Sequence, residues 1–211
     1  MAVHPNYNKL TKESIKENLF IIDYCLNFDK AKNENWNGDS KEGCLGIPGF
    51  ILLCTLIDTI GSYFRGSKYI IKIDGVNHPI ETASEHFYIL NHEKFFNLDL
   101  KMVTIIDFYS TYRSKLVHNT LLPENNFLSI GSKEDNIFHL DGEEKIVKVN
   151  IKPLFEKTKV AIETLIYYLE NGTFSLDHAL NTEMLEKRKE SNPLNINIST
   201  TAVTGFTQTK L

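Results

Sequence analysis

The stretch of this chain best suited to chemistry is Tyr112-Arg113-Ser114-Lys115-Leu116-Val117-His118-Asn119. A guanidinium holds and neutralises a phosphate through its N–H groups, and an imidazole can take or give a proton near neutral pH. Together they suit phosphodiester chemistry, with Arg113 stabilising charge that develops on phosphate and His118 moving a proton. Arg113 is one of only three arginines in a chain whose cations are otherwise lysines. Tyr112, Ser114 and Asn119 supply supporting polar groups. Asp58, an acid inside an otherwise apolar helical pattern, is the expected partner of Arg113, the plainer alternative being a solvent-facing residue on a polar stripe.

The element that must position these residues is a helix from Asp99 to about His118, where Val103, Ile106, Tyr109, Tyr112, Leu116 and Val117 keep helical spacing. Five residues at about 100° each set Arg113 and His118 some ~140° apart around an ideal helix. Either the helix frays near His118 and the imidazole turns back, or Arg and His from two facing chains combine. The second solution predicts a homodimer.

The remaining elements follow from periodicity and turn chemistry. Ser14 and Glu17 have capping-box spacing, and Ile15, Leu19, Ile22 and Leu26 form one stripe, which predicts a helix from about Thr11 to Lys32. A second helix begins near Pro48, buries Ile51, Leu52, Cys54, Leu56, Ile57 and Ile60, and stops at Gly61 or Gly66. Tyr69 to Gly75 reads as a strand entering an Asp-Gly turn, with Val76 to Ile80 a weaker partner. Ser84 is placed to cap a short helix carrying Phe87, Ile89, Leu90 and Phe95.

Phe127 to Ile130, Ile137 to Leu140 and Lys145 to Val149 read as strands, with Asp141-Gly142 joining the last two as a hairpin. Leu154, Val160, Ile162, Leu165, Ile166 and Leu169 mark a last strong helix from Pro153 to Glu170, stopping at Asn171-Gly172. A further helix is expected from Ser175 to Glu190, and Asn195-Ile-Asn-Ile198 alternates like a strand. The expected fold is mainly α: one helical domain over residues 1–191, with a small antiparallel β insertion at about 127–150, and a polar tail at 192–211.

Composition narrows the function. The net charge of −4 argues against a protein that coats nucleic acid non-specifically, so any nucleic-acid role must be local. The apolar run from Ile47 to Ile57 is too short and interrupted for a bilayer span, and Met1 to Asn8 lacks the basic start and apolar run of a signal peptide, which points to the cytoplasm. Cys25, Cys44 and Cys54 show no Cys-x-x-Cys spacing and are expected as reduced thiols, with Cys25 and Cys54 in the core. His86, His92 and Glu93 lack metal-ligand spacing and read as a surface group, so no metal or cofactor is expected. Lys145, Lys148 and Lys152 are flanked by Glu143, Glu144 and Glu156 and read as a mixed surface.

The Arg-x4-His element at the end of a long helix resembles the HEPN superfamily, and Phe50 to Gly66 is similar to the helix that precedes the motif in bacterial HEPN-like proteins. The resemblance covers roughly Thr11 to Asn119 and the helix after Pro153. It implies helical bundles that dimerise, and a metal-independent endoribonuclease of the kind found in toxin–antitoxin and other defence systems, leaving a 2′,3′-cyclic phosphate. RNA is then the substrate, and an antitoxin or another regulatory protein a candidate partner. Arg113 and His118 match the two named positions of the motif. Ser114 stands where Asn, Asp or His is usual, and Thr120 where some nucleases of the family carry Tyr. The alternative is a non-enzymatic HEPN-like module that binds a nucleotide, RNA or a protein partner. In its plainest form Arg113 pairs with an acid and His118 caps the helix C-terminus.

Overall fold

The computed structural model describes residues 7–66 and 70–171. The expected helix at 175–190, the tail at 192–211 and the alternating Asn195–Ile198 lie outside the described residues.

The second helix is apolar on nearly every side, and a helix of that composition must be enclosed. This is α2 (Gly46–Ser62), which buries Phe50, Leu53, Cys54, Leu56, Ile57 and Ile60. It packs against α1 (Tyr7–Asn27) and α5 (Ile151–Asn171), which also touch each other. Asp58 is its only charged residue. No described helix is long and apolar enough to cross a membrane.

α1 starts before the expected point, so Ser14 and Glu17 are exposed side chains within the helix and form no capping box. It also stops earlier, at Asn27. Asp29 then caps a single 3-10 turn, Lys30–Lys32, by accepting from the Ala31 N–H at 3.0 Å. The inward stripe is Ile15, Ile22 and Cys25, with Leu19 and Leu26 half-buried beside it.

Gly61 does not end α2. A Cβ at that position would lie 2.0 Å from the backbone oxygen of His86, because a 3-10 segment, Glu85–Asn91, crosses the helix there. That segment buries Phe87, Ile89 and Leu90, as its apolar spacing requires. Ser84 makes no side-chain cap. The Glu85 carboxylate takes over, accepting from the N–H groups of Glu81 at 2.8 Å and Thr82 at 2.7 Å.

β1 (Ile71–Ile73) and β2 (Val76–His78) form an antiparallel hairpin through Asp74-Gly75, with φ of 52° and 79°. Both central residues are left-handed, as a two-residue turn matched to strand twist demands. Val76 to His78 is therefore a true partner. The Asp74 carboxylate also reaches 28 residues along the chain to accept from the Met102 N–H at 2.8 Å, the first donor of α3 (Met102–Asp107). α3 starts later than expected because Asn97 and Asp99 have φ of 50°.

α3 runs without a break through a widened π-helical turn, Phe108–Ser114, into α4 (Lys115–Asn119). The buried residues are Thr104, Ile105, Phe108, Tyr112 and Leu116. Val103, Ile106 and Val117, part of the same helical pattern, are exposed at 39, 55 and 42%. Phe108, Tyr112 and Leu116, four residues apart, share the inward face, and Ile106 and Val103, two and five residues before Phe108, point away from it.

Residues 127–150 form a small sheet, but a mixed one. β5 (Ile146–Asn150) lies in the centre, antiparallel to β4 (Phe138–Leu140) and parallel to β3 (Phe127–Ser129). The purely antiparallel insertion expected from the sequence is thus corrected, since β3 runs alongside β5. The Asp141-Gly142 turn also differs. Asp141 accepts from the N–H groups of Glu143 and Lys145, and the left-handed residue is Glu144, φ 62°. α5 follows β5 directly, with Val160 exposed and Leu154, Ile162, Leu165 and Leu169 buried.

Gly61→Ala should destabilise the fold by about 3 kcal/mol, the upper end of overpacking costs, because the obstructing atom is backbone and cannot swing away. A urea titration checks this, and a wild-type midpoint would mean that the two segments separate freely.

Candidate functional site

The site is built where α2, the 3-10 segment and the π turn meet. Asp58 turns one oxygen to each neighbour. His86 Nδ1 lies 2.6 Å from Oδ1, and Arg113 Nη2 donates to Oδ2 at 3.3 Å. The expected Asp58–Arg113 pair is therefore present, with both side chains about a quarter exposed (25 and 26%), and a third member joins it. The His86 side chain is only 8% exposed.

The Arg113 guanidinium also sits over the Tyr109 ring, 5.5 Å from its centroid, and Tyr109 in turn packs on Phe87 at 5.4 Å. One nitrogen is tied to Asp58, and the solvent-reachable remainder can receive an anion. Cys54, buried one helical turn before Asp58, has its thiol pushed well up by burial, so it takes no part as a thiolate.

Tyr112 is fully buried and acts as a strut. Its hydroxyl donates to the Ile146 carbonyl at 3.1 Å, and burial pushes its pKa up to about 12. The same carbonyl accepts from Asn126 Nδ2 at 2.7 Å, while the Ile146 N–H donates to Asp107 Oδ2 at 2.8 Å. Asp107 and Tyr112 thus pin the π turn to the first residue of β5 from both sides. Thr104 adds a bond from its hydroxyl to the Glu144 carbonyl at 2.8 Å.

His118 and Asn119 are exposed in the last turn of α4, and Ser114 is half-buried. The helix does not fray there. Thr120, left-handed at φ 57°, donates its N–H to the Leu116 carbonyl at 3.0 Å and closes the helix in good order. Within one chain, no hydrogen bond or ion pair joins Arg113 to His118. Among the described residues, the side chains of Ser114, His118 and Asn119 form no hydrogen bond with protein.

The histidines expected at the surface are not there. His86 is buried against Asp58. His92 is 1% exposed, with Phe64 and Phe95 around its ring at 5.1 and 4.9 Å. Only Glu93 of that group is exposed. A signal for His86 exists in the sequence: Gly61, one turn after Asp58 inside an apolar helix, marks a close backbone approach, but not which segment approaches. Lys145 pairs with Glu143 at 2.8 Å, in keeping with a mixed surface.

Asp58→Ala should cost about 1–3 kcal/mol in a chemical-denaturation experiment, because it leaves a buried His86 N–H and a part-buried guanidinium without their acceptor. Asp58→Asn, which keeps one acceptor oxygen, should cost less, and Tyr112→Phe about 1 kcal/mol. Equal midpoints for wild type and Asp58→Ala would mean that the carboxylate holds nothing in place. Comparison of the chain with protein-family models, with curated proteins and with solved structures finds no match.

Proposed function

We propose that this chain is a HEPN-type, metal-independent endoribonuclease that works as a homodimer. Arg113 of one copy would bind the scissile phosphate, and His118 of the other would exchange a proton with the ribose 2′-hydroxyl or the leaving oxygen. The observation that carries the reading is the state of the two side chains. The guanidinium is oriented by Asp58 and Tyr109 in a side chain about a quarter exposed, and the imidazole projects from an ordered helix end without a protein hydrogen bond among the described residues. Two copies are invoked because the helix stays ordered through His118 and no hydrogen bond or ion pair joins it to Arg113 of the same chain. The exposed Val103, Ile106 and Val117 along the same helix supply apolar surface for a second copy. The setting we propose is a defence or toxin–antitoxin system, with an antitoxin or another regulatory protein as partner.

A second reading is favoured by the Asp58–Arg113 contact itself. In a non-enzymatic HEPN-like module the ion pair is structural, and the same surface binds a nucleotide, RNA or protein without cleaving it.

The test is cleavage of mixed single-stranded RNA with EDTA present. Wild type should cut, and His118→Ala and Arg113→Ala should each lose roughly 10²-fold or more. Mixing the two inactive variants should restore activity, since a heterodimer regains one complete site. Absence of cleavage by wild type, with an Arg113→Ala protein that melts early, supports the second reading. Sedimentation at tens of micromolar should show a dimer, as an interface burying about 800 Å² per partner is stable there.

A further inference from the structure

We propose that His86 is a positioning residue for Arg113, acting through Asp58 to aim the guanidinium at a phosphodiester of single-stranded RNA. The inference rests on the phosphate-binding role given to Arg113 above and adds a residue outside the Arg-x4-His motif.

The distances decide which contact controls the carboxylate. The Arg113–Asp58 bond, at 3.3 Å, is long for a charge-assisted pair, where about 2.7–2.9 Å is usual. The His86–Asp58 contact is 2.6 Å. The carboxylate is therefore fixed by the imidazole, and the guanidinium follows it. The His86 backbone is closely packed on α2, because its oxygen fills the space left by the missing side chain of Gly61.

The ring has one orientation of use. An ionised carboxylate only accepts hydrogen bonds, so Nδ1 carries the proton that faces Asp58. Nε2 is buried and has no hydrogen-bond partner among the described residues. With no route from Nε2 to solvent or substrate, His86 acts on Arg113 and not on RNA. The looseness of the Arg113 contact has a use of its own: a guanidinium held at one nitrogen by a long bond is aimed, yet free to close on a phosphate.

The experiment compares full-length His86→Asn with His86→Leu. Asn keeps an N–H donor close to the position of Nδ1, and Leu removes it at similar volume. In side-chain NMR, the Arg113 guanidinium signal should keep its wild-type shift in His86→Asn and move toward that of a free arginine in His86→Leu. Binding of a mixed-sequence single-stranded RNA oligonucleotide should weaken about 10-fold or more in His86→Leu, the worth of one hydrogen bond to a charged group, and stay within about 3-fold of wild type in His86→Asn. An Arg113 signal unmoved by His86→Leu, or moved equally by both variants, overturns the proposal, the second result assigning His86 to packing alone. If wild type neither binds nor cuts RNA while the Arg113 signal follows this pattern, the nuclease reading fails and the control of Arg113 by His86 stands. Should His86→Leu not fold, nitrogen NMR of the wild-type imidazole decides: a proton on Nδ1 supports the assignment, and a bare Nδ1 overturns it.

Discussion

The backbone oxygen of His86 occupies space that any residue other than glycine at position 61 would need for its side chain. From that close crossing of a helix and a 3-10 segment, the neighbouring arrangement follows. It brings the His86 ring over Asp58, one turn back along α2, and it seats Phe87 where Tyr109 and Phe108 pack on it. Widening the gap by the thickness of a methyl group would pull the imidazole off the carboxylate and open the aromatic contacts at once. A buried polar pair of this kind stays favourable only while both partners remain matched.

The opposite side of the π turn is held by polar bonds to backbone. Ile146 offers both its N–H and its carbonyl at the start of β5, and Asp107 and Tyr112 take one each. The small sheet between the last two helices thus has a mechanical part. It props the helix that carries Arg113, much as the 3-10 segment braces it from the other face. Arg113 sits between two supports, which is what the phosphate capture proposed for its planar guanidinium would require.

Local rules read the helices well where burial is nearly complete. α2 follows from apolar content, α5 from the spacing of its apolar stripe, and the Asp58–Arg113 pair from an isolated acid in an apolar helix. Along α3 and α4, Val103, Ile106 and Val117 share the helical pattern of Tyr112 and Leu116 yet lie exposed, since apolar positions spread around a helix cannot all face one side. Ser14-Glu17 and Ser84 have capping chemistry without the role, since a cap is defined by where the helix begins and not by composition. His86 could not be found locally: its contact depends on segments 28 residues apart meeting at Gly61. The parallel pairing of β3 with β5 was hidden for the same reason, since an intervening strand separates the two in sequence.

Asp74 belongs to the tip of one hairpin, yet its carboxylate closes the first turn of α3, and the Met102 N–H holds that carboxyl below the usual range. Local opening of the chain must respect this link. The start of α3 cannot unwind without freeing the turn, and the turn cannot flip without exposing the first amide of the helix. One hydrogen bond thus couples the opening of the hairpin turn to that of the helix start, although nearly thirty residues separate them. Because that carboxyl is held below the usual range, mild acid leaves the link intact, and only acid strong enough to protonate Asp74 would loosen hairpin and helix together.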